Sequence, residues 1–169
     1  VSGTSAPFKV AQIQTENANI GVARGTIAVN SVKFDEQKFS ADLVASRVQV
    51  GNLFKDSSLP INGPLSGRFQ VSGNTDNFDT KNLRIQGDAS LATAGGRITA
   101  NNIKVKDGVY LARVRANSVN LQQLSPQIPK SFKGKLNGDF DVAGSLDSFT
   151  PESIVATGKG EIKTPGGVI

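Results

Sequence analysis

The chain has no cysteine, histidine, methionine or tryptophan. Without cysteine there is no disulfide framework and no thiolate site, and the redox compartment is unreadable. Without cysteine and histidine, zinc, copper and haem sites are not expected, and neither is any other metal or cofactor. Nucleophilic triads of the Ser-His-Asp or Cys-His type are excluded. No apolar run approaches the ~20 residues of a membrane helix, and no signal peptide is visible. A chain that begins at Val1 and lacks methionine reads as a segment or a processed form. Any membrane anchor is expected to lie outside it.

Single-sign charge is also missing. The 169 residues carry a net +5, spread evenly: nine basic and seven acidic side chains over 1–85, ten and seven over 86–169. That is a solvated basic surface and not a nucleic-acid stripe. The one local excess is Arg97, Lys104, Lys106, Arg113 and Arg115 against Asp107. No aromatic residues interleave it as stacking platforms would require, so no nucleic-acid partner is expected. Anionic lipid head groups are the better match.

What is present is a repeat. Gly134 to Gly144 reads G-x-L-x-G-x-F-x-V-x-G, and so does Gly63 to Gly73, 71 positions earlier. Side chains two apart share one face of a strand. Leu65, Gly67, Phe69 and Val71 therefore share a face opposite Ser66, Arg68 and Gln70. Leu136, Gly138, Phe140 and Val142 do the same against Asn137, Asp139 and Asp141. A glycine inside a strand marks a bend, a bulge or a close approach. A phenylalanine ring laid over it can support a sharply curved sheet; relief of crowding in an ordinary sandwich core is the plainer reading. Gly67, Gly73, Gly138 and Gly144 are the structural glycines of the repeat.

The offset recurs along the chain. Val48 and Leu53 match Val119 and Leu124, Asp76 and Phe78 match Asp147 and Phe149, and Gly87 matches Gly158. Phe39-x-Ala41-x-Leu43-x-Ala45 matches Tyr110-x-Ala112-x-Val114-x-Ala116. A still earlier copy begins at Phe8, one residue out of step with Phe78. The chain holds about two and a third copies of a unit of roughly 70 residues, over 1–22, 23–93 and 94–164. It reads as one β-repeat segment, 1–169, cut from a longer array.

The alternation predicts strands near 64–72, 81–87, 89–94, 96–105 and 109–117. Asp107-Gly108 is the strongest hairpin signal. It pairs Val105 with Tyr110 and Ile103 with Ala112 on one face, and Lys104 with Leu111 on the other. Ile98 and Ala100 are out of phase with Ile103 and Val105, which predicts a bulge at Asn101-Asn102. Glu36-Gln37 is a poorer turn pair and predicts a looser loop. The segments Val119 to Pro129 and Val48 to Pro60 end the ladder in a short helical turn or a crossover.

The predicted fold is all-β: an elongated, strongly curved, mainly antiparallel sheet with one apolar, concave face. The opposite face of nearly every strand is polar. An open apolar face would exceed the few hundred square ångströms usual for monomers. The sheet must fold on itself, pack on another layer or carry an apolar guest. Open strand edges at its two ends predict some edge-to-edge self-association.

In these repeats the segment resembles the TamB family of the AsmA-like superfamily. The resemblance covers essentially the whole chain and rests on G-x-L-x-G-x-F-x-V-x-G, the Asp76/Phe78 and Asp147/Phe149 pairs, and Gly-rich alternating strands. It implies an inner-membrane-anchored protein crossing the periplasm, or the intermembrane space of an organelle, with strands curled into a taco-shaped groove. It implies roles in phospholipid transport between membranes and in outer-membrane protein assembly. The implied partners are phospholipid acyl chains or unfolded outer-membrane protein strands, and a TamA/BamA-type insertase docking through a region not in this chain. The groove lining is expected to be Leu65, Phe69, Val71, Leu83, Ile85, Leu91, Tyr110, Val114, Leu136, Phe140, Val142, Ile154 and Ile162.

Two other classes compete. A β-solenoid spacer or adhesin also repeats and favours glycine, but fills its interior with small and β-branched residues. An enzyme would need acid–base groups. The pairs Asp139/Asp141 and Asp35/Glu36 exist, but Asp139 and Asp141 face outward, where a carboxylate stays ionised and solvated. Their counterparts are Arg68 and Gln70. Gly95-Gly96 and Gly166-Gly167 lack the Lys-Ser/Thr of a phosphate loop. No catalytic residues are expected.

Overall fold

The computed structural model describes residues 14–15, 18–53, 62–76, 79–124, 133–147, 153–164 and 167–168. Strands dominate: β1 (Gln14–Thr15), β2 (Ala18–Val22), β3 (Gly25–Asp35), β4 (Lys38–Gln49), β5 (Pro64–Asn74), β6 (Arg84–Thr93), β7 (Gly96–Lys106), β8 (Val109–Asn120), β9 (Lys135–Ser145), β10 (Val155–Thr164) and β11 (Gly167–Val168). Single helical turns follow β4 and β8: α1 (Val50–Leu53) and α2 (Leu121–Leu124). Among the described residues no helix is long and apolar enough to cross a membrane.

All strands join one antiparallel sheet in the order β1-β3-β4-β5-β6-β7-β8-β9-β10-β11, with β2 also on β3. From β2 onward, nearest neighbours in sequence are nearest neighbours in space; β1 pairs with β3. Among the described residues the sheet does not close into a barrel.

The repeat is carried into the backbone. Strands β3 to β6 recur as β7 to β10 with every boundary moved by 71 residues, so that Gly25 becomes Gly96 and Asn74 becomes Ser145. The connecting hydrogen bonds recur too. The Gln49 amide donates to the Ala23 carbonyl at 3.0 Å, as Asn120 does to Ala94 at 2.9 Å. Val50 donates to Gly63 and Leu121 to Gly134, both at 3.1 Å. Thr75 donates to Gln37 at 2.7 Å and Leu146 to Gly108 at 2.8 Å. β11 pairs with β10 as β7 begins on β6: Thr164 faces Gly167 as Thr93 faces Gly96.

The Asp107-Gly108 hairpin has φ of 54° and 74° at its two central residues, the signature of a type I′ turn. It pairs Val105 with Tyr110 and Lys104 with Leu111. The Asn101-Asn102 bulge is present, with Asn102 at φ 53° and its amide bound to Asp88 Oδ1 at 2.9 Å. The Ile103–Ala112 pair falls inside the resulting register shift between Asn101 and Lys104.

Some expectations need correction. The Glu36-Gln37 connection is as tight as its counterpart, since Asp35 faces Lys38 directly. Glu36 takes φ 52° there, so the flanking ladder imposes the turn on a residue that does not favour it. The two strands expected at 81–87 and 89–94 are one strand, β6, because the phase runs unbroken through Ile85, Gly87, Ala89 and Leu91. Residues Thr80–Asn82 instead form a 3-10 turn. The expectations for Phe8, Phe78, Phe149, Gly166, Ser57 to Pro60 and Pro126 to Pro129 lie outside the described residues.

Most of the buried apolar side chains gather at one margin; Val105, beside the Asp107-Gly108 hairpin, lies away from it. Val48, Val50, Leu91, Ala116 and Val119 sit where α1 and α2 turn away from the sheet, and Val119 is 0% exposed. There the chain makes its tightest core.

A candidate binding face

Cross-strand register assembles the apolar positions into continuous rows. One row runs Ala41–Val71–Ile85–Val105–Tyr110–Gly144. A second runs Val48–Leu65–Leu91–Ile98–Ala116–Gly138–Gly160. A third runs Ala45–Gly67–Ala89–Ala100–Val114–Phe140–Gly158. Phe69 lies between Leu43 and Gly87, Val142 between Ala112 and Ala156, and Leu136 between Val119 and Ile162. Leu83 lies over Gly73, and Ile154, half-buried, leads into β10. Register thus brings eleven of the thirteen expected lining residues onto one face, and Leu83 joins them through its contact with Gly73; for Leu83 and Ile154 no strand pairing is described.

Glycine and aromatic residues interlock on this face. A Cβ added at Gly67 would lie 2.9 Å from the Phe69 ring, and one at Gly138 2.8 Å from the Phe140 ring. Gly87 and Gly160 lie under the same two rings, each at 2.9 Å. Phe39 covers Gly73 in one unit and Tyr110 covers Gly144 in the next. The ring-over-glycine arrangement read at Gly67 and Gly138 is present at both and occurs also at Gly73 and Gly144. Burial raises the Tyr110 hydroxyl pKa, because desolvation disfavours the phenolate.

Of the thirteen positions only Leu91 is buried; the rest are half-buried. The reason is architectural. Elements pack chiefly against their neighbours in the sheet, and α2 against β8, so among the described residues no second layer covers the apolar face.

The opposite face is mostly charged and polar. Arg115 Nε meets Asp139 Oδ1 at 2.7 Å and Arg113 Nε meets Asp141 Oδ1 at 3.2 Å. The hydrogen bond and charge of Asp139 raise the Arg115 pKa. The two carboxylates are exposed members of a cross-strand ion-pair ladder. Asp35 and Glu36 sit exposed at a turn. Among the described residues no group of acidic side chains could hold a metal ion. An open hollow on this face spans Asp42, Arg68, Gln70, Gln86, Asp88 and Lys104.

One region departs from the expected polar pattern. Leu111 faces Ala143, and Ala143 faces Val155, on the otherwise polar side. Leu111 is 53% and Val155 64% exposed. The corresponding positions of the preceding unit are Ser40, Ser72 and Arg84. Strand alternation alone could not show this patch, because only register brings the three residues together. Comparison with protein-family models, curated proteins and solved structures finds no match.

Proposed function

We propose that the apolar face is a conduit for phospholipid acyl chains, in a groove protein that works between two membranes. The observation that carries this reading is the apolar face, continuous from β2 to β10 and with no second layer over it among the described residues. Such a face needs an apolar occupant. Acyl chains need contact with carbon and no directional hydrogen bonds. Each buried methylene contributes roughly 0.8 kcal/mol, so a partly enclosed chain is held appreciably against water. Because the lining repeats, successive sites are close in energy and a lipid can pass along without a deep trap.

The reading includes a sheet that curves with this face inside. Bulges bend and twist strands, and they recur at matching places, Ser46-Arg47 and Asn117-Ser118. Phenylalanine packed on glycine supports such bending. On this reading the protein belongs in the periplasm or an equivalent intermembrane space and is held at the inner membrane by a segment outside this chain. Assistance to outer-membrane protein assembly, with a BamA-type partner, is the companion role.

A spacer with no cargo is the second reading. The small-residue row Ala45–Gly67–Ala89–Ala100 favours it, since solenoid interiors are filled that way. The row does not stay small, however: it runs on into Val114 and Phe140. Photo-crosslinking residues placed at Phe69, Val114 and Phe140, followed by mass spectrometry of the adducts, test the conduit. Lipid adducts on these positions, and none from positions 68, 115 and 139, are expected. Equal labelling of both faces, or none, overturns it.

A further inference from the structure

Three lysines converge at one rim of the sheet. Lys135 begins β9 and Lys163 lies near the end of β10, and the two face each other directly in the ladder. Like charges in that position repel and destabilise a sheet. Lys133 precedes β9 by two residues. Together with Asn120, Gln122, Gly134 and Thr164 these lysines line a hollow of about 430 Å³. Glu161 reaches Lys163, Oε1 to Nζ 3.0 Å, and leaves the cluster with a net positive charge. Among the described residues no acid pairs with Lys133 or Lys135.

The cluster is not a product of the repeat. The same positions one unit earlier hold Asn62, Pro64 and Ala92. Repulsion that the fold itself does not require, at one place only, calls for an anion between the ammonium groups. Lysine binds phosphate as a point charge with three rotatable donors. The location narrows the class of anion. Next to the Lys135–Lys163 pair, one residue in, lie Leu136 and Ile162, which face each other on the apolar side. A ligand with a phosphate at the rim and hydrocarbon turned inward would satisfy both surfaces.

We propose that Lys133, Lys135 and Lys163 hold the head group of an anionic phospholipid whose acyl chains enter the apolar face over this rim. The inference rests on the conduit reading and adds a lipid preference and a point of entry. Asn120 and Gln122 line the same hollow and supply polar side chains to the phosphate oxygens.

The test uses the whole chain incubated with detergent-dispersed phosphatidylglycerol, phosphatidylcholine or inorganic phosphate, with bound species counted by native mass spectrometry. Wild-type protein is expected to hold phosphatidylglycerol about tenfold more tightly than phosphatidylcholine, since basic residues attract an anionic head group. Lys135→Gln with Lys163→Gln should bring that ratio close to one and leave phosphatidylcholine binding unchanged. Lys133→Gln, outside any strand, should lower it partway and covers the case in which the double variant misfolds. Lys104→Gln with Lys106→Gln should leave the ratio intact. An undiminished preference in the rim variants, or an equal loss in the Lys104/Lys106 control, overturns the head-group site while the conduit stands. Lysine-dependent binding of inorganic phosphate without any lipid preference shows a free-anion site and overturns the lipid assignment. Failure of wild-type protein to take up either lipid overturns the conduit as well.

Discussion

The Phe140 ring lies on Gly138, two residues back along the same strand, so close that a Cβ at Gly138 would stand 2.8 Å from it. Backbone of β10 closes the other side, with Gly160 Cα at 2.7 Å. Gly138→Ala is therefore expected to destabilise the fold by about 1–3 kcal/mol, the usual cost of overpacking. Gly67→Ala, against Phe69 and the Asp88 carbonyl, should cost a similar amount. Gly21→Ala, with no atom within 4 Å of the new Cβ, should cost nothing measurable. Urea denaturation midpoints of the three variants check the ordering.

The two faces should respond oppositely to charge. Phe140→Glu and Val71→Arg place a charge on the apolar side, where burial without a partner is costly. Both should abolish lipid adducts in protein shown by circular dichroism to be folded. Asp139→Ala removes only an exposed ion pair to Arg115, which solvent screens, and should leave adducts unchanged. Normal lipid uptake by folded inward-charge variants would falsify the conduit.

The matching bulges are each held by a side chain. Arg47, at φ 52°, donates its amide to Ser66 Oγ at 3.0 Å; Ser118, at φ 53°, donates to Asn137 Oδ1 at 2.9 Å. Ser66→Ala and Asn137→Ala should each lower stability by about 0.5–1.5 kcal/mol, the net worth of a hydrogen bond. Arg47→Gly and Ser118→Gly should be tolerated, since glycine adopts positive φ freely. Thermal melts of the four variants test this, and a loss in the glycine pair larger than in the alanine pair contradicts it.

Tyr110 sets an alkaline limit. Its pKa is raised in the folded state by burial. The stabilisation is fully present below the unfolded value near 10 and is lost as pH rises through the folded value. Tyr110→Phe should therefore flatten the fall in stability above about pH 10 relative to wild type. The difference between the two melting curves across about pH 9–11 is the quantity to read.

Much of this was legible in one dimension because both signals are periodic. Alternation identified the strands, Asp107-Gly108 the hairpin, and the phase change from Ile98/Ala100 to Ile103/Val105 the bulge at Asn101-Asn102. The same phase change from Ala116 to Val119 marked the second bulge, but next to Leu124 and Pro126 it read as the end of the ladder. The lining positions followed from parity within each strand. What parity cannot supply is register across a turn or a long connection. Arg113 meets Asp141 28 residues away and Arg115 meets Asp139 24 away. Lys135 opposes Lys163, Leu111 meets Ala143 and Ala143 meets Val155 for the same reason: the connecting segments, and not the strands, decide who stands opposite whom.

The unit contains four strands, β3 to β6 and again β7 to β10. An even number returns the chain to the same rim, running the same way, with the same side chains inward. Loss or duplication of one unit would then change length without changing chemistry. Neighbouring strands lie about 4.8 Å apart, so each unit spans roughly 19 Å along the sheet. The length of such a sheet is adjustable only in steps of that size, so that its extent is a matter of counting units.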